Sequence, residues 1–306
     1  MHLDDDDISD PPRTGSFTIR TLTIAGPPLE PGLYLVATPI GNLSDITLRA
    51  LETLAAADIV AAEDTRVTRV LLERYGIGRR SFAYHEHNAA EAGPKLIEAI
   101  HGGRSVALVS DAGTPLVSDP GYRLVQEAIA AGLRVVPVPG PSSVIAALSA
   151  AGLPNDAFFF AGFLPQKQKG RQERLAELGR IPGTLIFFES PHRLADSLAD
   201  AAQVLGEGRR AVVCRELTKT FEEFRRGTLG ELAAYYDENP NVRGEIVLAI
   251  APPEPEAAPE GEDLDRLLAE LASAMPAAKA AAEASKQTGL PRKQLYQRLL
   301  DLKDKG

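Results

Sequence analysis

Val106-Ala107-Leu108-Val109-Ser110-Asp111-Ala112-Gly113-Thr114-Pro115-Leu116-Val117-Ser118-Asp119-Pro120-Gly121 joins an apolar run to a loop of Asp, Gly, Ser and Pro, and Tyr122-Arg123-Leu124-Val125 follows at once. A short continuous apolar run is the pattern of a strand buried on both faces, and the spacing after the loop is that of a helix lying on a sheet. Outward from this segment the pattern repeats. Runs at Leu33–Ala37, Ile59–Ala62, Ser81–Tyr84 and Val135–Val138 predict four more strands. Helical spacing at Leu48-Leu51-Leu54, Val70-Leu71-Leu72, Leu96-Ile97-Ile100 and Leu124-Val125-Ala128-Ile129 separates them or follows. Such alternation with short connections implies parallel strands and right-handed crossovers.

After Ala151-Gly152-Leu153-Pro154 the alternation restarts at Phe158-Phe159-Phe160. Runs at Leu185–Phe188, Ala211–Cys214 and Ile246–Ile250, helices from near Arg171, His192 and Leu229, and an optional strand in Phe221–Gly227 predict a second, smaller α/β sheet domain. The expected organisation is a disordered leader over 1–31, an N-terminal domain over 32–152 and a C-terminal domain over 153–251. A proline-rich acidic linker over 252–262 and a helical tail over 263–306 complete it. The tail reads as two helices joined at Thr288-Gly289-Leu290, the second starting with Pro291 and carrying Arg292, Lys293 and Arg298 beside Leu295 and Leu299.

The chain has 306 residues, 44% hydrophobic and 25% charged, enough for two cores. A formal charge of -9 argues against a general cationic coat for nucleic acid, so a polyanionic partner has to be met by a local basic face. The acidic opening and the absence of a long apolar run predict no membrane span and a cytoplasmic location. Cys214 is the only cysteine, which excludes an intrachain disulfide. His85-Glu86-His87-Asn88 lacks the further ligands a closed metal site needs, and no metal is expected.

Three loops leave predicted strand ends with turn-forming residues: Thr38-Pro39-Ile40-Gly41-Asn42, Ser110–Gly121 and Pro139-Gly140-Pro141-Ser142-Ser143. In an open parallel sheet ligands bind at those ends. The loops contain no Lys or Arg, and Asp111 and Asp119 would repel a polyphosphate, so a ligand with hydroxyls and positive charge fits better. S-adenosylmethionine has that chemistry. The plainer alternative makes these segments turns, with Asp119 and Pro120 as N-cap and first residue of the next helix.

L-Y-L-V-A-T-P-I-G-N-L-S-D-I-T-L-R-A, A-A-E-D-T-R, S-D-A-G-T-P-L-V-S-D-P-G, V-P-G-P-S-S, G-F-L-P and F-F-E-S-P-H-R together resemble the tetrapyrrole-methylase superfamily, in particular its branch of small-subunit ribosomal RNA methyltransferases I. The resemblance runs from about Leu33 to Ile250. It implies a two-domain fold with a parallel N-terminal sheet and a smaller mixed C-terminal sheet, a homodimer, and S-adenosylmethionine between the domains. Ala37-Thr38-Pro39-Ile40-Gly41-Asn42 departs from the G-x-G-x-G-D of the wider superfamily, and Thr114 replaces the acid of its G-D-P loop. Those departures belong to the ribosomal RNA branch and argue against a porphyrin substrate.

Carried over by position, the cofactor contacts implied are Ile40, Gly113, Thr114, Val117, Ser118, Ser142, Ser143, Glu189, Leu217 and Glu245. The implied reaction is 2'-O-methylation of a cytidine in the decoding region of 16S ribosomal RNA, with small-subunit RNA as partner. The tail resembles the helix-turn-helix that closes many members of the branch, an element for docking RNA or a partner, or for dimerisation. Candidate base or orienting residues are Glu63, Asp64, Arg66 and His192, with Glu189 and Arg193 also in these motifs. Against them, Glu63 and Asp64 can cap the helix at Thr65, and Arg193 can pair with a neighbouring acid. Pro165–Arg171 is cationic and compatible with RNA phosphate, or is a solvated loop. A tetrapyrrole carbon methylase and a catalytically silent RNA-binding module are the competing functions.

Overall fold

The computed structural model describes residues 15–119, 121–254 and 261–304. Contacts divide the chain into two compact units, 1–252 and 253–306. In the first unit a hairpin of β1 (Ser16–Ile19) and β2 (Leu22–Ala25) precedes β3 (Gly32–Val36). The expectation of an unstructured leader therefore fails over 15–31; residues 1–14 lie outside the described residues. Phe17 is buried and joins the core that holds Leu51, Leu54 and Ala55 of α1 (Leu48–Ala56). An apolar residue alternating with threonines suffices for a short hairpin once a helix covers it.

Strands β4 (Ile59–Ala62), β5 (Ser81–Ala83), β6 (Ser105–Val109) and β7 (Val135–Val138) complete a five-stranded sheet ordered β5-β4-β6-β3-β7. Every pairing in it is parallel. Alternate residues of its strands enter opposite cores: Val36, Val60, Ala62, Ala107 and Val109 pack with α1 and α2 (Thr65–Arg74). Leu33, Ile59, Ala61, Val106 and Leu108 pack with α3 (Ala89–His101) and α4 (Tyr122–Ala130). Covering both faces turns a period of two into unbroken apolar runs in the sequence.

The second sheet, ordered β11-β10-β12-β9-β8, contains β8 (Phe158–Phe163), β9 (Thr184–Glu189), β10 (Arg210–Arg215), β11 (Glu223–Thr228) and β12 (Ile246–Ile250). The β8–β9 pair is parallel and the other three are antiparallel, so the sheet is mixed. Helices α6 (Gln168–Leu178), α7 (Leu194–Leu205) and α8 (Leu229–Glu238) cover one face. The other face receives α5 (Ser143–Ala151), whose Val144, Ala147, Leu148 and Ala151 pack on Ile186, Val212, Val247 and Ala249. That shared core makes 1–252 a single unit where the sequence suggested a boundary near 152.

Among its described residues the second unit has three helices, α9 (Gly261–Ala274), α10 (Ala277–Thr288) and α11 (Arg292–Asp304), where the sequence indicated two. Leu264 and Leu268 of α9 close a core with Ala280, Ala281, Ala284, Leu295 and Leu299. Helix α10 ends at Gly289 with φ 71°, the left-handed cap that glycine adopts without a steric penalty. Of the expected linker, residues 255–260 lie outside the described residues, and Gly261 already belongs to α9.

Candidate active site

The loops after β3, β6 and β7 meet at the carboxyl ends of the first sheet. Thr38 and Gly113 exchange two backbone hydrogen bonds, at 2.8 and 3.0 Å, tying the first loop to the second. Thr114 Oγ1 donates to the carbonyl of Pro141, tying the second to the third. Gly113 has φ 77°, and Leu116 and Ser118 hold φ 72° and 68°, a region unfavourable to side-chain-bearing residues. Strain at two non-glycine positions in one short loop singles it out as a candidate ligand loop.

These loops and the second sheet enclose a cavity of about 460 Å3. Ile40, Gly113, Thr114, Val117, Ser118, Ser142 and Ser143 line it from the first sheet, and Glu189, Leu217 and Glu245 from the second. All ten residues that the resemblance implied as cofactor contacts thus face one space. Phe163 and Phe188, with ring centroids 5.6 Å apart, add an apolar wall. Glu189 is buried, accepting from Ser197 Oγ at 2.6 Å and from its neighbour's amide, Ser190 N, at 2.8 Å.

The candidate bases separate. Glu63 lines the cavity, whereas the described lining does not include Asp64, Arg66 or His192. Asp64 caps α2 by accepting from the Arg66 amide at 2.8 Å, and its carboxylate holds the Arg66 guanidinium at 2.6 Å. Those hydrogen bonds depress its pKa to about 2, so it stays ionised and is a weak base. His192 is exposed on a 3-10 turn, next to Pro191, which does line the cavity. Arg193 Nη2 donates to the carbonyls of Leu164 and Pro165, with its Nε 3.6 Å from Glu189. Arg171 corrects the cationic-loop expectation: it is buried against Asp200 at 2.5 Å.

The sequence offers Asp111 and Asp119 as a bar to phosphate, and Asp119 also as a helix cap, yet both line the cavity with Glu63. Helix α4 begins at Tyr122 behind Gly121 with φ 127°, so Asp119 is not its cap. Burial raises the pKa of Glu63, and the neighbouring Asp111 adds to it. Burial likewise raises Asp111 and pushes Asp119 to about 6, with Glu63 and Asp111 contributing by repulsion. Among the described lining residues there is no Lys or Arg. The floor therefore favours a cation.

A folded-state pKa above the ordinary carboxylate value means that protonated Asp119 favours the fold below about pH 4, and that this contribution is lost as pH rises through about 6. Asp119→Asn is accordingly expected to gain on the parent as pH rises between those limits and to keep that gain above them, on the order of 1 kcal/mol once solvent screening of this half-buried group is allowed for. Urea unfolding at pH 4 and pH 7.5 measures it, and identical pH dependence in both proteins would contradict the raised pKa.

A family model of the tetrapyrrole (corrin/porphyrin) methylases matches residues 32–233, and one of the RsmI C-terminal HTH domain matches 258–303. The chain is 67% identical over 277 residues to the ribosomal RNA small subunit methyltransferase I of Mesorhizobium japonicum, covering 90% of this chain and 94% of that one. The chain belongs to the ribosomal RNA small subunit methyltransferase I family. Its Escherichia coli O157:H7 relative is 50% identical over 270 residues, with 88% and 94% covered. Among solved structures, uroporphyrin-III C-methyl transferase from Thermus thermophilus, complexed with S-adenyl homocysteine, aligns with a TM-score of 0.52 at 21% identity. It covers 72% of this chain and 97% of that chain, a likeness of fold. As a member of the family, the protein is a methyltransferase, and its two sheets are those of the tetrapyrrole-methylase fold.

Proposed function

We propose that this methyltransferase methylates the ribose 2'-hydroxyl of a cytidine in the decoding region of 16S ribosomal RNA, using S-adenosylmethionine. The observation that carries the proposal is the acid-floored cavity lined by the strained Gly113–Ser118 loop. Backbone of that loop, with Ser142 and Ser143, would hold the hydroxyls and amino-acid end of the cofactor, and Phe163 and Phe188 would flank its base. When bound, the cofactor supplies an electrophilic methyl on a positively charged sulfur. Glu63, Asp111 and Asp119 favour that positive charge, and the two sheets align the acceptor oxygen with the methyl carbon.

Glu63 is the base that fits: it lines the cavity and its pKa is raised, while Asp64 is committed to Arg66. As the ribose oxygen bonds to the methyl carbon, the carbon–sulfur bond would break with its electron pair left on sulfur as a neutral thioether, and Glu63 would take up the hydroxyl proton. Glu63→Gln is expected to lower the single-turnover rate by roughly 100-fold at saturating cofactor, with Asp64→Asn near the parent. Equal rates for Glu63→Gln and the parent would remove the base from this position. Labelled S-adenosylmethionine with undermethylated small subunits tests the reaction; transfer only to a porphyrinogen, or none, would support the competing functions instead.

A homodimer accords with the exposed Phe158 and Phe159 on the edge strand β8, and sedimentation tests it. No described helix is long and apolar enough to cross a membrane, and we place the enzyme in the cytoplasm with its substrate. We assign the second unit to docking of ribosomal RNA.

A further inference from the structure

The proposed substrate is a polyanion, whereas Glu63, Asp111, Asp119, Glu189 and Glu245 line the cavity without a cation among the described residues. Phosphates are repelled by such a floor. A ribose can enter, but the strand on either side of it has to leave over a surface of another character. Gly244 lines the cavity and also a neighbouring groove of about 570 Å3.

That groove offers what an unstacked nucleotide needs. Phe221 is 72% exposed and Tyr235 36% exposed on its lining. The guanidinium of Arg225 lies 3.6 Å from the centroid of the Tyr235 ring and supports it. The Phe221 loop is fixed in advance: Glu216 and Thr218 hold φ 52° and 65°, and Thr218 accepts from the Asn42 amide at 3.1 Å. Its carboxylates are largely matched. Glu223 holds Arg215 at 3.1 Å and Arg225 at 2.7 Å, and Glu216 holds Lys219 at 2.7 Å. Glu238 and Arg243, both exposed, have no ion pair among the described residues. The groove lining itself carries two arginines, Arg215 and Arg243, with three carboxylates, against five carboxylates and neither Lys nor Arg in the described cavity lining, so the groove is much the less acidic of the two.

We propose that this groove holds the ribosomal RNA strand adjoining the methylated nucleotide, with Phe221 stacking on one base and Arg243 neutralising one phosphate. The inference rests on RNA being the substrate. Aromatic stacking with a nearby cation is how proteins hold single strands whatever their sequence, which suits a nucleotide drawn out toward a ribose-modifying site.

The test uses the full-length chain, S-adenosylmethionine and undermethylated small subunits. Phe221→Ala is expected to raise KM for subunits roughly tenfold. Arg243→Gln is expected to reduce the salt dependence of subunit binding by about one phosphate contact, a slope change of about 0.7 to 0.9. Cofactor affinity and kcat stay at the parent values in both variants. Unchanged KM and salt slope with an active parent would overturn the groove, as would transfer of the whole effect to Lys167→Gln in the loop that precedes α6. A parent that transfers no methyl to subunits would instead bring down the RNA proposal beneath it.

Discussion

Gly113→Val is expected to lower S-adenosylmethionine affinity by more than about 100-fold while leaving a folded protein. Gly113 sits at φ 77°, where a β-branched residue is strained, and a Cβ there would lie 3.3 Å from Ile40 Cγ2. Both of its backbone hydrogen bonds go to Thr38, so movement to relieve that strain displaces the first loop along with the second. Ligand geometry suffers twice, because Ile40 and Thr114 both line the cavity. The surrounding sheet cores do not include Gly113, and the cost to stability is limited to the strain itself, about 1–2 kcal/mol. Calorimetric titration with thermal unfolding as control decides it. Parent-like affinity in a folded variant would remove the loop from the cofactor site.

Removal of residues 253–306 is expected to leave cofactor affinity unchanged and to weaken small-subunit binding by at least about tenfold at low salt, flattening its salt dependence. The cores of the two sheets are drawn from 17–251, and the second unit has a core of its own, so the shortened chain keeps what folds it. From Lys286 onward the sequence places six cations, Lys286, Arg292, Lys293, Arg298, Lys303 and Lys305, against Asp301 and Asp304, in a chain of net charge -9. Two of these are already engaged: Arg298 pairs with Asp265 at 2.6 Å, and Lys286 with Glu283 at 3.4 Å. The salt slope lost on truncation is therefore expected to correspond to fewer than six phosphates, roughly two to four. Equal slopes for both forms would assign the unit to a protein partner, and loss of cofactor binding would make it part of the catalytic body.

The sequence by itself determined the strands of the first sheet, because burial on both faces leaves unbroken apolar runs such as Val106–Val109 that need no tertiary knowledge to recognise. It determined the family as well, since A-E-D-T-R, S-D-A-G-T-P and E-S-P-H-R are contiguous motifs, and ten residues carried over from them and their neighbours face one cavity. The hairpin at 16–25 was hidden because its stability comes from a helix beyond it in the chain, against which Phe17 packs. Helix α9 was likewise masked by the acidic, proline-rich stretch before it, although Leu264 and Leu268 complete the last core. Roles of individual charges depended on tertiary structure most of all. Asp64 and Glu63 are adjacent in sequence, yet one is spent on Arg66 and the other joins Asp111 and Asp119 around the cavity. Arg171 read as a surface cation and is buried against Asp200, a residue 29 positions away. Charge chemistry follows from which groups share a desolvated space, and that is decided by packing between segments distant in the chain.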